Sequence, residues 1–303
     1  MTDTLARAWR PTGLAWTQDG AALEWLSPTG EVRASAVDLG ARLALQVGPD
    51  RQCVGLWWDG RRVPCTARTP VDTEAKSGQC DSCAALARTR SVATDTALDD
   101  PREFCVYLAH HGSVIKAGIT ASERGQARLL EQCALSSQIL SAGSLLSARR
   151  CEALLSTALG LPQQVHTARK RAARMTPGTA SARAAELTAV AERAVGLDWP
   201  PGQTRTAHGP VDHTPTYGLP EAGIAPDQRV EPLRPGAMIN GEVACRIGRD
   251  LYLTTQAGIV LLDTGLLQGW ALNRADDNAP LTARTTPITR PKATTEPQHD
   301  VLF

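Results

Sequence analysis

The sequence predicts an α+β protein. A small antiparallel sheet flanked by helices is expected between a β-rich N-terminal region stapled by four cysteines and a C-terminal β segment. Three observations predict this. Short alternating segments separated by turn residues fill residues 1–60 and 231–274, helical periodicity takes over between Phe104 and Leu197, and four of the eight cysteines cluster between residues 53 and 83. A chain of 303 residues, 42% hydrophobic and 21% charged, is long enough for two or three compact units. The expected boundaries are 1–100 for the β-rich region, 101–197 for the central module, 198–230 for a linker or long loop, 231–274 for the β segment and 275–303 for a disordered tail.

In the first region the strands are Leu14–Trp16, Ala22–Trp25, Glu31–Ala34 and Arg42–Val47, divided by Asp-Gly, Pro-Thr-Gly and Gly-Pro-Asp turns. The later strands are Glu242–Ile247, Leu251–Thr255 and Ile259–Asp263, which can complete the first sheet. No apolar run approaches the roughly 18 residues a membrane span needs, and the N-terminus lacks the apolar stretch of a signal peptide. A cytoplasmic location is therefore expected, where cysteines serve as metal ligands or buried thiols rather than disulfides.

Cys53, Cys65, Cys80 and Cys83 follow a C-x11-C-x14-C-x2-C pattern. The closing C-x2-C lets two thiolates from one turn reach one ion, and two more complete a tetrahedron. Zinc is the expected ion, in a structural role, because four thiolates leave no open coordination position. Residues 61–100 are poor in apolar side chains, so metal binding is expected to supply their folding energy. Cys105, Cys133, Cys151 and Cys245 stand singly in apolar patterns and read as buried small residues.

The stretch CVYLAHHGSVIKAGIT, residues 105–120, reads as two antiparallel strands around a His-His-Gly-Ser turn, placing Tyr107 and Lys116 near the start of a helix. That helix carries Arg124, Arg128 and Glu131 on one face. The next helix, SARRCEALLSTALG, has Ser147 as expected N-cap and Gly160 as stop. Glu152 falls on or near its apolar stripe, where a carboxylate needs a partner or a metal. The simpler expectations are a half-buried Tyr107, a solvent-facing Lys116, an Arg149–Glu152 salt bridge and an exposed turn at His110 and His111. Charge is uneven along the chain. Residues 101–175 hold ten basic side chains against four acidic ones, while the whole chain is at +1. Such an excess suits a polyanion, and Arg124, Arg149, Arg150, Arg169, Lys170, Arg171 and Arg174 are the expected nucleic-acid contacts; a solvated face is the simpler expectation for RKRAAR.

The order VYL (106–108), KAGIT (116–120), Arg128 and CEALL (151–155) resembles the GIY-YIG endonuclease superfamily. It resembles more closely a zinc-containing branch carrying upstream cysteines and a VYLA…KVGIT…R…(E/D)QGA…E run. The resemblance covers roughly residues 50–175, and more weakly GEVACRIGRDLYL. It implies a metal-dependent endonuclease acting on nucleic acid, with DNA the expected substrate and repair or processing the expected setting. Tyr107 would orient or deprotonate the attacking water, and Arg128 would stabilise the transition state. Glu152 would bind one Mg2+ or Mn2+. Lys116 stands where the family's second motif has its aromatic, and would contact phosphate or take that residue's place. Two alternatives stay open: a non-catalytic nucleic-acid-binding protein on the same scaffold, and an RNA-directed or other non-nuclease enzyme. The C-terminal EPQHDVLF resembles the peptide that docks bacterial proteins on the DNA sliding clamp, with Gln298, Val301, Leu302 and Phe303 as its docking residues.

Overall fold

The computed structural model describes residues 9–17, 20–58, 61–89 and 100–288. The clamp-like residues Gln298, Val301, Leu302 and Phe303 lie outside them. Among the described residues the chain is α+β, with four sheets and six α-helices. Strands β1 (Arg10–Thr17), β2 (Gly20–Leu26) and β3 (Val32–Ala36) form an antiparallel meander. Strand β4 (Arg42–Arg51) leaves it for a second sheet. The hairpin of β5 (Leu56–Trp58) and β6 (Arg61–Val63) and helix α1 (Asp81–Thr89) frame the cysteines.

The central module begins with β7 (Phe104–His110) and β8 (Ile115–Ala121), paired so that Tyr107 faces Gly118 and Ala109 faces Lys116 across the ladder. Helix α2 (Ala127–Glu131) leads to β9 (Ser136–Gly143), which pairs with the other side of β7. Then come α3 (Leu145–Leu159), α4 (Thr167–Ala173) and α5 (Ala180–Val195). One face of the sheet offers Phe104, Val106, Leu108 and Ala117 to Ala148, Cys151, Leu155 and Leu187 from α3 and α5, all buried. Each large apolar side chain so buried stabilises the fold by about 1.5–3 kcal/mol. Helix α3 starts a turn earlier than expected. Ser144, not Ser147, is its N-cap, accepting from the Ser147 N–H at 3.3 Å, while the Ser147 hydroxyl donates to Gly202 O at 2.8 Å.

Residues 198–230 are not simply a linker. Strands β10 (Gln203–Arg205) and β11 (Val211–Asp212) pair with β9, and α6 (Thr214–Tyr217) buries Tyr217. Strands of two or three residues have no readable alternation, and their pairing is made by backbone groups. The remaining strands are β12 (Gln228–Val230), β13 (Met238–Ile247), β14 (Asp250–Thr255), β15 (Gly258–Asp263), β16 (Trp270–Arg274) and β17 (Thr285–Pro287). With β4 they make a seven-stranded sheet in the order β16-β4-β13-β14-β15-β12-β17, antiparallel except for β12 beside β15. The C-terminal segment thus completes the sheet that β4 enters, and β17 brings the start of the expected tail into it. A third apolar cluster, with Trp16, Leu130, Leu135, Tyr217, Cys245 and Tyr252, joins this sheet to the central module. No helix among the described residues is long and apolar enough to cross a membrane.

Candidate functional site

Three segments bring the cysteines together. Cys53 follows β4, Cys65 follows β6, and Cys80 and Cys83 sit at the start of α1. Their sulfurs all lie within 4.8 Å of one another. Around a zinc ion with Zn–S bonds of about 2.3 Å, sulfurs stand about 3.8 Å apart, so the donor set fits. The Gly55 and Cys80 N–H groups donate to Cys53 Sγ at 3.4 and 3.2 Å, as outer-shell donors to a thiolate do. Gly55 has φ +69, and a Cβ there would strike the Val63 carbonyl. Burial opposes ionisation of Cys65, yet hydrogen bonds from Thr69 and Cys53 pull it down to about 6, while burial and the neighbouring Cys80 and Cys53 push Cys83 up. Four such crowded sulfurs can hold a zinc ion as a closed structural site.

The second constellation lies on the sheet face opposite the α3–α5 core. Strand alternation turns Tyr107, Ala109, Lys116 and Gly118 to this face. Tyr107 is 1% exposed, packed with Leu129, Ala134 and Ile139. Gly118 lies beneath it: an added Cβ would come within 2.5 Å of the Tyr107 ring and oxygen, which explains the glycine of KAGIT. Arg128 on α2 and Glu152 on α3 both act electrostatically on Tyr107, whose pKa burial raises to about 12. Lys116, half-buried rather than solvent-facing, is pushed down by burial and supported by Glu152. Burial pushes Glu152 up, against the pull of Lys116 and Arg149. The four residues singled out from the sequence therefore share one electrostatic neighbourhood.

Sequence reasoning missed other members. Gln132 hydrogen-bonds Tyr107 at 2.9 Å, and Lys170 reaches in from α4 to donate to Gln132 O at 2.7 Å. Burial, then Arg174 and Arg128, hold the Lys170 pKa down against the pull of Cys133. The turn histidines are not exposed. His110 is 2% and His111 1% exposed, with His110 Nε2 3.0 Å from Glu186 on α5 and His111 Nδ1 donating to Cys133 O at 3.1 Å. Burial, reinforced by Lys170, drives the His111 pKa down to about 3, so the ring is neutral and its buried Nε2 has no hydrogen-bond partner. The expected site of the turn was misjudged because the residues that cover it lie more than twenty positions away.

The expected nucleic-acid contacts divide. Arg174 is buried, its Nη1 2.5 Å from Asp250, and Arg171 pairs with Asp250 at 2.6 Å and Asp263 at 3.2 Å. Both are corrected to structural cations that fasten α4 to β14 and β15. Arg124 pairs with Glu131 at 2.7 Å, and Arg128 approaches the same carboxylate at 3.4 Å. Arg150 and Arg169 are exposed, Arg169 reaching Ser113 at 3.3 Å, and Arg149 is half-buried.

A family model for a protein of unknown function, DUF2797, matches residues 40–272, a span that takes in both the cysteine centre and the Tyr107 face. No curated protein and no solved structure matches the chain. Because that match covers well over half of the 303 residues, the chain belongs to the DUF2797 family.

Proposed function

We propose that this chain is a metal-dependent endonuclease, cleaving phosphodiester bonds in nucleic acid, with DNA the expected substrate, on a GIY-YIG-like scaffold. The observation that supports it is that Tyr107, Lys116, Arg128 and Glu152, from β7, β8, α2 and α3, share one electrostatic neighbourhood. Phosphodiester cleavage needs positive charge where negative charge develops. Arg128 supplies it from a half-exposed position, and Lys116 adds an ammonium in place of the family's second aromatic. Tyr107 is suited to orienting rather than deprotonating, since burial keeps its phenol protonated through neutral pH. Glu152 offers one carboxylate, a set that suits Mg2+ or Mn2+ sharing its remaining positions with water and substrate phosphate. The ion, when bound, supplies Lewis acidity.

A second reading keeps the scaffold as a nucleic-acid-binding protein without cleavage, and the buried Tyr107 oxygen, already bonded to protein, favours it. A cleavage assay separates them. Single-stranded, duplex and branched DNA and RNA are incubated with wild type and Glu152→Ala, in Mg2+, Mn2+ or EDTA. Metal-dependent cleavage lost in Glu152→Ala supports the nuclease. Binding without cleavage under every condition overturns it, and cleavage of RNA alone moves the substrate.

A further inference from the structure

Tyr107 and Arg128 meet at the side-chain amide of Gln132, which closes α2. With both ends of the amide satisfied, Gln132 Nε2 donates to the Tyr107 oxygen at 2.9 Å, and Gln132 Oε1 accepts from Arg128 Nε at 3.0 Å and Nη2 at 3.2 Å. The reverse orientation would set the amide NH2 against the guanidinium, donor against donor; the hydrogen-bond network assigns the choice.

The backbone beneath this amide is held from several sides. The Gln132 carbonyl accepts from Lys170 on α4, and the Cys133 carbonyl accepts from His111 on the β7–β8 turn. Cys133 itself sits at φ +64, a conformation few non-glycine residues adopt. Next to it the Tyr217 hydroxyl donates to Ala134 O at 2.9 Å. A segment gripped by Lys170, His111 and Tyr217, with a strained residue at its centre, presents the amide in one direction.

We infer that Gln132 is a positioning residue that joins Tyr107 and Arg128 into one unit, donating to the phenolic oxygen and accepting from the guanidinium. Its consequence for catalysis rests on the nuclease reading; the linkage itself does not. The Tyr107 oxygen accepts from Gln132 Nε2, and the same hydroxyl stands 3.2 Å from Gln132 Oε1, which can accept its proton. The bond also favours the phenolate, partly opposing the effect of burial. At the other end, the guanidinium is fixed through Nε and Nη2, leaving Nη1 toward Glu131 and the surface.

The test compares wild type with Gln132→Met, which keeps length and loses both polar ends, and Gln132→Glu, which keeps the acceptor and loses the donor. Two NMR signals are read: water exchange of the Arg128 Nε–H, and the Tyr107 13Cζ shift, assigned with Tyr107→Phe. Arg128 exchange is expected to quicken about fivefold or more in Gln132→Met, the factor an ordinary hydrogen bond gives, and to stay slow in Gln132→Glu. The Tyr107 shift is expected to move in both variants. Equal Arg128 exchange in wild type and Gln132→Met overturns the linkage, whether or not the protein cleaves anything. If wild type cleaves, Gln132→Met is expected to lower kcat with KM little changed and to displace the alkaline limb of its pH profile; an unchanged profile and kcat would confine Gln132 to a structural role. A wild type that cleaves nothing would remove the nuclease reading and leave the linkage standing on the Arg128 signal.

Discussion

The cysteine centre and the Tyr107 face hold their side chains in place by opposite means. Around the cysteines the buried apolar content is small: Leu56 with Cys53, Cys65 and Cys83, and Trp58, Val71 and Ala87 only partly covered. The Tyr107 face is the other side of a sheet whose core is filled by Val106, Leu108, Leu155 and Leu187. Where apolar surface is scarce, an ion held by the four sulfurs would fix the geometry. Where it is plentiful, the fold can bury Tyr107, His111 and Arg174 with most of their polar atoms partnered, and it tolerates the unpaired His111 Nε2 and Arg174 Nε.

Metal removal breaks the comparison most sharply. Structural zinc in small zinc-binding peptides contributes about 10–16 kcal/mol, so chelation, or Cys80→Ser, is expected to unfold residues 53–89 locally. Amide exchange is expected to rise there while β7–β9 stay protected, and equal loss of protection in both regions would refute the difference. Next in size is Arg174→Ala. It leaves the buried Asp250 with Arg171 as its remaining cation, so the loss is expected to stay below the roughly 3–5 kcal/mol that breaking a lone buried pair costs. Urea unfolding is expected to show that loss, whereas Arg150→Ala, at the surface, should change stability by less than about 0.5 kcal/mol.

Much of this was legible in the sequence. Strand alternation located β1–β4 and β13–β15 to within a few residues, and C-x2-C spacing found the cysteine centre. The order of VYL, KAGIT, Arg128 and Glu152 singled out residues that influence one another electrostatically. What was illegible depended on distance along the chain. Arg171 and Arg174 look like a basic helix face because Asp250 lies 79 and 76 residues beyond them. His110 and His111 look like an exposed tip because Glu186 and Cys133, their partners, come from later elements. Gln132 gives no composition signal at all, since its role is set by two side chains at which its amide ends meet.

Acid sharpens the comparison further. His111 and His213 are held neutral, chiefly by burial, with pKa values down to about 3 and about 4 against an ordinary 6.5. The unfolded chain therefore binds protons that the folded chain refuses. Their contribution is intact above about pH 6.5 and is lost as pH falls toward 3–4, at up to about 1.4 kcal/mol per unit for each histidine. Denaturant midpoints measured from pH 7 to pH 4 are expected to fall accordingly, and less steeply in His213→Gln, whose amide can still meet Ser137. A small effect of the opposite sign is expected from Cys133→Gly. It relieves the positive φ of Cys133, for a gain of about 0.5–1 kcal/mol less the lost sulfur packing. A calorimetric midpoint lower than wild type would mean that the packing outweighs the strain.

The proposal is that the two regions divide the labour, the cysteines holding shape through an ion and the Tyr107 face carrying the chemistry. Zinc content and nucleic-acid cleavage, measured on the same preparations of wild type and Glu152→Ala, test it most directly. The account predicts about one zinc per chain in both, with cleavage in wild type alone. Undiminished cleavage by Glu152→Ala at full zinc content, or no cleavage by zinc-loaded wild type on any substrate, would contradict it.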